Sequence, residues 1–203
     1  MAERLERLRH FLEDLTRLCD EGADERRIRE EGAESLRRLV AADDWLMPEF
    51  AEPDPQTYRQ YLLYCDPLER FSVVSFVWGP GQKTPVHDHT VWGLIGMLRG
   101  AEISRNYTIG PDGRLSPAGE ERLLPGAVAA VSPAIGDIHL VENALLDRPS
   151  ISIHAYGANI GAVARHVFVP ESGAIKPFVS GYANRLLPNL WDRAAETRAR
   201  LAI

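Results

Sequence analysis

The sequence of 203 residues is poor in cysteine, in lysine and in long apolar runs. Two cysteines, Cys19 and Cys65, are too few for the disulfide framework of a small secreted domain and fit a chain kept reduced in a cytoplasm. Basic residues number 23 against 29 acidic ones, for a net charge of −6, and lysine occurs only at positions 83 and 176. A nucleic-acid-binding surface needs clustered positive charge, so this balance argues against one. No apolar stretch approaches the roughly 18 residues that a membrane span requires. The opening MAERLERLRHFLEDL is acidic and amphipathic where a secretory leader would be basic and then apolar. What remains is a globular chain, 45% hydrophobic and 26% charged, long enough for one well-filled core. Its oligomeric state is left open.

Two regimes follow along the chain. In residues 1–48 apolar side chains recur at helical spacing (Leu5, Leu8, Phe11, Leu12, Leu15 and Leu18, then Ile28, Leu36, Leu39 and Val40) among charged ones. This predicts two amphipathic helices broken near Asp20–Ala23, with their apolar stripes packed on the protein's own core. Residues 49–203 change grammar. Proline, glycine and aspartate punctuate β-rich runs at Phe71–Trp78, Trp92–Leu98, Ala101–Ile109, Ala127–Val131, Ile138–Val141, Ser150–Tyr156 and Val163–Val169. Closely spaced short strands predict a β-sandwich or barrel. A closing helix over Leu187–Leu201, with Asn189 as its cap, completes a mainly β, single-domain architecture.

Of six histidines, two stand as His87-Asp88-His89. On a strand, residues i and i+2 point to one side, so both imidazoles can reach one metal ion. The flanking residues strengthen this reading. Gly81 and Gly100 bracket the pair, and Gly126, Pro133, Gly136, His139 and Asn143 form a second cluster. Together they resemble the two motifs of the cupins, with Gly93 where the first motif carries glutamate. The resemblance implies a small antiparallel β-barrel with His139 joining His87 and His89 inside. Three neutral imidazoles leave a divalent ion unneutralised, which favours an anionic ligand such as a thiolate. Iron and zinc both suit such a donor set.

Over Thr84–Gly93 and Ser152–Tyr156 the chain resembles the thiol dioxygenases, the cupin family that contains cysteine dioxygenase. The resemblance implies Fe(2+), O2 and a small-molecule thiol converted to its sulfinic acid. It places His87, His89 and His139 on the iron ligands and Ser152, His154 and Tyr156 on a hydrogen-bond chain beside the metal. Two departures point to a subgroup. Gly93 stands where the mammalian-type enzymes carry a cysteine cross-linked to the tyrosine, and Gln60 aligns with their carboxylate-binding arginine, although a slip of one residue would bring in Arg59. The chain is in these respects similar to the bacterial 3-mercaptopropionate dioxygenases, in which Arg165 would hold the substrate carboxylate, with Tyr156 and Gln60 hydrogen-bonding nearby. Cysteine and mercaptosuccinate remain alternative substrates.

Trp78, Trp92 and Val141 are expected, from strand parity, to wall the pocket. His166 should turn to the opposite strand face and pack there, Asp88 should point away from the metal into a turn contact, and Cys19 should be buried. His10 is expected to be exposed. A non-enzymatic metal-binding sensor is one rival. A cupin isomerase or hydrolase is another, for which Glu142 would have to be the acid/base carboxylate.

Overall fold

The computed structural model describes residues 5–111, 113–170, 172–184 and 194–202. Two helices come first, α1 (Glu6–Asp20) and α2 (Glu25–Val40). Asp24 ends the intervening turn and caps α2, its carboxylate accepting from the Arg27 backbone N–H at 2.8 Å, an interaction worth about 1 kcal/mol. Phe11, Leu15 and Leu18 of α1 and Leu36, Leu39 and Val40 of α2 are buried in one apolar cluster. Each such side chain contributes about 1.5–3 kcal/mol by leaving water.

Eleven strands follow among the described residues: β1 (Arg59–Cys65), β2 (Ser72–Trp78), β3 (Val86–His87), β4 (Gly93–Arg99), β5 (Glu102–Ile109), β6 (Leu115–Leu123), β7 (Val128–Val131), β8 (Ile138–Asn143), β9 (Ser150–Tyr156), β10 (Arg165–Val169) and β11 (Ala174–Phe178), before helix α3 (Ala194–Leu201). They form two antiparallel sheets, in the orders β1-β2-β9-β4-β7 and β11-β10-β3-β8-β5-β6. This mainly β arrangement of two antiparallel sheets, with helices at the N-terminal side, is the architecture that the sequence predicts. No helix among the described residues is long and apolar enough to cross a membrane.

The first sheet is covered on both faces, and side-chain parity sorts its residues. Val73, Val77, Leu94, Leu98, Ile151, Ile153 and Ala155 join the helices in one cluster. Val74, Phe76, Trp78 and Tyr156 face the barrel interior with Val141 of the second sheet. Strands buried on both faces lose the apolar/polar alternation of a half-exposed strand, and β2 and β9 are buried at every position. At Gly96 a Cβ would lie 2.8 Å from Leu36 and 2.9 Å from Val40, so the glycine lets α2 lie against β4. Gly100, at φ +81°, makes the turn from β4 to β5.

Several expected strands appear within one or two residues of their predicted ends. The run from Val163 starts two residues late, at Arg165, because a 3-10 turn occupies Ile160–Ala162. Four strands carry too little pattern to be expected, namely β1, β3, β6 and β11. β6 is almost wholly exposed and includes Pro117 and Gly119, and β11 includes Pro177. Both lie at sheet edges, where proline costs no ladder hydrogen bond. Of the predicted closing helix, Ala194–Leu201 is helical. Asn189 lies outside the described residues.

Candidate active site

His87 ends the two-residue β3, His139 lies opposite it on β8, and His89 follows in the loop. The i, i+2 pair thus converges although only one member is on a strand. One ring nitrogen from each of the three histidines lies within 4.8 Å of the other two.

Their Nδ1 atoms are already engaged. That of His87 donates to the Pro85 carbonyl at 3.1 Å, that of His89 to Asp137 Oδ1 at 3.0 Å, and that of His139 lies 3.0 Å from Ser104 Oγ. These bonds fix the tautomer and turn each Nε2 lone pair to the common centre. Burial holds the His87 and His89 rings well below the ordinary imidazole range and His139 down at about 4, so all three are neutral and able to ligate. The Nε2 of His89 is buried without any hydrogen-bond partner. An orphaned buried acceptor facing two further imidazoles fits a bound metal ion, and the donor set suits iron or zinc.

β9 presents Ser152, His154 and Tyr156 along its inner face. Ser152 Oγ lies 2.8 Å from His154 Nε2, and His154 Nδ1 lies 2.8 Å from the Tyr156 hydroxyl. The Tyr156 ring stacks on that of His89, with centroids 5.4 Å apart and planes at 19°. Burial raises the Tyr156 pKa, so the phenol keeps its proton. A Cβ on Gly93 would stand 2.9 Å from Tyr156 Cε1, so glycine there leaves the ring its place.

Gln60 and Arg165 complete the cavity. It measures ≈ 80 Å³, and its walls include Tyr58, Trp78, Val141, Phe178 and Ser180. Gln60 lines it, whereas Arg59 turns outward to pair with Asp54. Gln60 Nε2 donates to the Gly181 carbonyl at 3.1 Å and to Ser180 Oγ at 3.4 Å. The Arg165 guanidinium donates to Ser180 Oγ at 2.7 Å and lies 4.5 Å from the centre of the Phe178 ring. Arg165 is only 3% exposed, its Nε has no partner, and among the described residues no carboxylate lies within ion-pair distance of it. Burial lowers its pKa. A buried cation without a counter-ion costs several kcal/mol, and an anion entering the cavity would offset that cost.

Three expectations need correction. Trp92 does not wall the cavity. It shares the parity of Leu94 and Leu98 and packs in the helix-facing cluster. His166 is not packed away: half-exposed, its Nδ1 lies 2.7 Å from Asp88 Oδ2, while Asp88 Oδ1 accepts from the His166 backbone N–H. Asp88 thereby ties the loop after β3 to β10. Cys19 is half-buried, whereas Cys65 is buried and its thiol is pushed up to about 12 by burial. His10 is exposed beside Glu6. Glu142 pairs with Arg105 at 2.7 Å and does not line the cavity, which removes the acid/base carboxylate that an isomerase or hydrolase would need.

Asp137, Ser104 and Ser180 were not visible as site residues in the sequence. Asp137 stands two residues before His139, and that spacing was the available signal. A larger hollow of ≈ 300 Å³ between the β5–β6 and β10–β11 hairpins contains none of the groups above.

A family model for cysteine dioxygenase type I matches residues 28–171 of the chain. Over 151 residues the chain is 26% identical to the cysteine dioxygenase type 1 of Danio rerio, covering 71% of this chain and 73% of that protein. Among solved structures, a protein from Thermus thermophilus aligns with 21% identity and a TM-score of 0.43, over 54% of this chain and 91% of its own. An RmlC-like cupin protein from Desulfovibrio desulfuricans aligns with 24% identity and a TM-score of 0.37, over 55% of this chain and 92% of its own.

Proposed function

Since the chain belongs to the cysteine dioxygenase type I family, and is a thiol dioxygenase, we propose that it oxidises a small thiol bearing one carboxylate, 3-mercaptopropionate, with O2 to the sulfinic acid at ferrous iron held by His87, His89 and His139. The observation that carries this reading is Arg165, a buried cation without a counter-ion in the cavity that the histidines border. A guanidinium fork matches a carboxylate in two parallel hydrogen bonds.

The lining of the cavity contains no aspartate or glutamate. Cysteine would bring an ammonium with no anion to meet it, and desolvating that charge costs several kcal/mol. Mercaptosuccinate would bring a second carboxylate to a cavity with one cation. Cysteamine lacks the carboxylate that Arg165 would bind. The order 3-mercaptopropionate, then cysteine, follows from charge alone.

Ferrous iron, when bound, supplies the stabilisation of a thiolate and the activation of dioxygen. The chain's own residues do the rest. Arg165 holds the carboxylate end and so fixes the sulfur toward the three imidazoles. Gln60 lines the cavity beside Arg165 with its amide tied to Gly181 and Ser180, and Trp78, Val141 and Phe178 exclude water. Tyr156, kept protonated, offers a hydrogen bond to the reacting end, and His154 and Ser152 hold its hydroxyl in place. Both oxygen atoms end on sulfur, giving a sulfinate.

The test is a panel of 3-mercaptopropionate, cysteine, mercaptosuccinate and cysteamine on iron-loaded protein, reading oxygen uptake and sulfinate mass. 3-Mercaptopropionate should have the highest kcat/KM. Cysteine in first place would overturn the assignment. Tyr156→Phe should keep its iron and oxidise thiol more slowly, and loss of iron in that variant would make the residue structural.

A further inference from the structure

Glu102, at the start of β5, is fully buried and has no part in the chemistry above. It reaches across the barrel to β9, where Ser150, Ser152, His154 and Tyr156 alternate along one face. Its Oε1 accepts from Ser150 Oγ at 3.2 Å, Oε2 is buried without a hydrogen-bond partner, and Ser152, next along the same face, lies beside the carboxyl and lowers its pKa. Among the described residues no cation pairs with it. The Ser152–His154–Tyr156 chain therefore does not end at Ser152. Beyond Ser152 it meets a fully buried carboxyl group with an unpartnered oxygen, in a place where a charge has nothing to balance it.

A chain of hydroxyls and one neutral imidazole can run in either of two directions, because each link can donate or accept. We infer that Glu102 is a positioning residue that sets this direction and, with it, the aim of the Tyr156 hydroxyl hydrogen. While the carboxyl carries its proton, Glu102 donates to Ser152 Oγ, Ser152 donates to His154 Nε2, and His154 Nδ1–H donates to the Tyr156 oxygen. The Tyr156 hydrogen is then free to point into the cavity. When Glu102 loses its proton to solvent, the Ser152 hydroxyl turns to the carboxylate. His154 exchanges its ring proton from Nδ1 to Nε2, and Tyr156 donates to His154 instead. One proton leaves, the imidazole stays neutral, and the cavity loses a donor. This inference rests on the reading of the cavity as a thiol site.

Burial raises the Glu102 carboxyl to about 8, with Ser152 and Ser150 offsetting part of that rise. The titratable groups that face it are His154 and Tyr156. Burial pushes the first well below the imidazole range and raises the second, so neither changes charge near the point where Glu102 does. The other neighbours do not ionise in this range: β8 and β6 place Asn143 and Leu123 opposite Glu102, and β4 places Met97 beside Ser152.

The test is the tautomer of His154, read from ring 15N shifts of zinc-loaded protein, with its signals identified by their absence in His154→Gln. In the native protein the Nδ1–H form at low pH should give way to the Nε2–H form with a midpoint near 8. In Glu102→Gln, whose amide donates as the acid does, the Nδ1–H form should persist at every pH. Ser150→Ala removes a hydrogen bond to the carboxylate and should move the midpoint up, which keeps the test open if the glutamine variant does not fold. One tautomer throughout in the native protein, or an unchanged switch in Glu102→Gln, would overturn the inference. On iron-loaded protein, thiol-dependent oxygen uptake should decline above the midpoint in the native enzyme and hold in Glu102→Gln. A tautomer switch without oxidation of any thiol would defeat the substrate reading alone, and oxidation with a fixed tautomer would defeat this inference alone.

Discussion

Asp137 grips His89 at three points: Oδ1 accepts from the ring Nδ1 at 3.0 Å, and Oδ2 accepts from the backbone N–H of His89 at 3.0 Å and of Thr90 at 2.8 Å. Thr90 is held at φ +61°, an unusual conformation for a β-branched residue. The carboxylate thus fixes both the loop that carries His89 and the tautomer that frees its Nε2. Asp137→Asn would set an amide N–H2 against donors. Its expected effect is a 10–100-fold loss of metal affinity, roughly the usual cost of losing such a support. Competition with a chelator measures it, with the circular dichroism spectrum unchanged. Native affinity in this variant would show that the loop holds itself.

Arg165→Ala should raise the KM for 3-mercaptopropionate by about 10–100-fold, the equivalent of losing hydrogen bonds to a charged group. The KM for cysteamine, which has no carboxylate, should stay where it is. Steady-state kinetics on both thiols makes the comparison, and an equal loss on both would mean that Arg165 does not read the carboxylate.

Gly93→Ala inserts a methyl group 2.9 Å from Tyr156 Cε1 and 2.9 Å from Val131 Cγ2. Neither the ring nor the strand can yield freely inside a filled core. Thermal unfolding should show a loss of about 1–3 kcal/mol, the usual cost of overpacking. Thiol oxidation should slow as the phenol is pushed from its place.

The metal-free protein should be labile in acid. Burial depresses the folded-state pKa of His87, His89 and His154 strongly and that of His139 to about 4. In the unfolded chain these rings titrate at about 6.5. As pH falls below that value the unfolded state takes up protons that the native state refuses. Stability is therefore present in full above about 6.5 and is lost as pH drops toward 4. Glu102, with its raised pKa, acts in the opposite sense, but one carboxyl is outweighed by four rings. Calorimetry in steps of pH should show Tm falling on the acid side, and a flat Tm down to pH 5 would contradict this.

The three histidines proposed as metal ligands were legible because a short spacing, His87-x-His89, and two glycine-punctuated motifs declare them in one dimension. The Ser152, His154 and Tyr156 series was legible for a similar reason, since strand parity alone brings the three together. Their supports were not. Ser104 meets His139 through the pairing of β5 with β8, and Ser180 meets Arg165 and Gln60 from the segment after β11. Such contacts depend on register, which no local spacing encodes. Trp92 misled because strand parity does not say which face turns inward, and the face it shares with Leu94 and Leu98 lies under the helices. β1 escaped notice because a register shift between Leu62 and Tyr64 breaks its alternation.

The chamber that holds Arg165 has room for only a few heavy atoms, ≈ 80 Å³ between rigid aromatic and imidazole walls. A sieve of that size sorts thiols by bulk before charge is read at all. That volume suits a free thiol metabolite rather than a cysteine flanked by peptide on both sides.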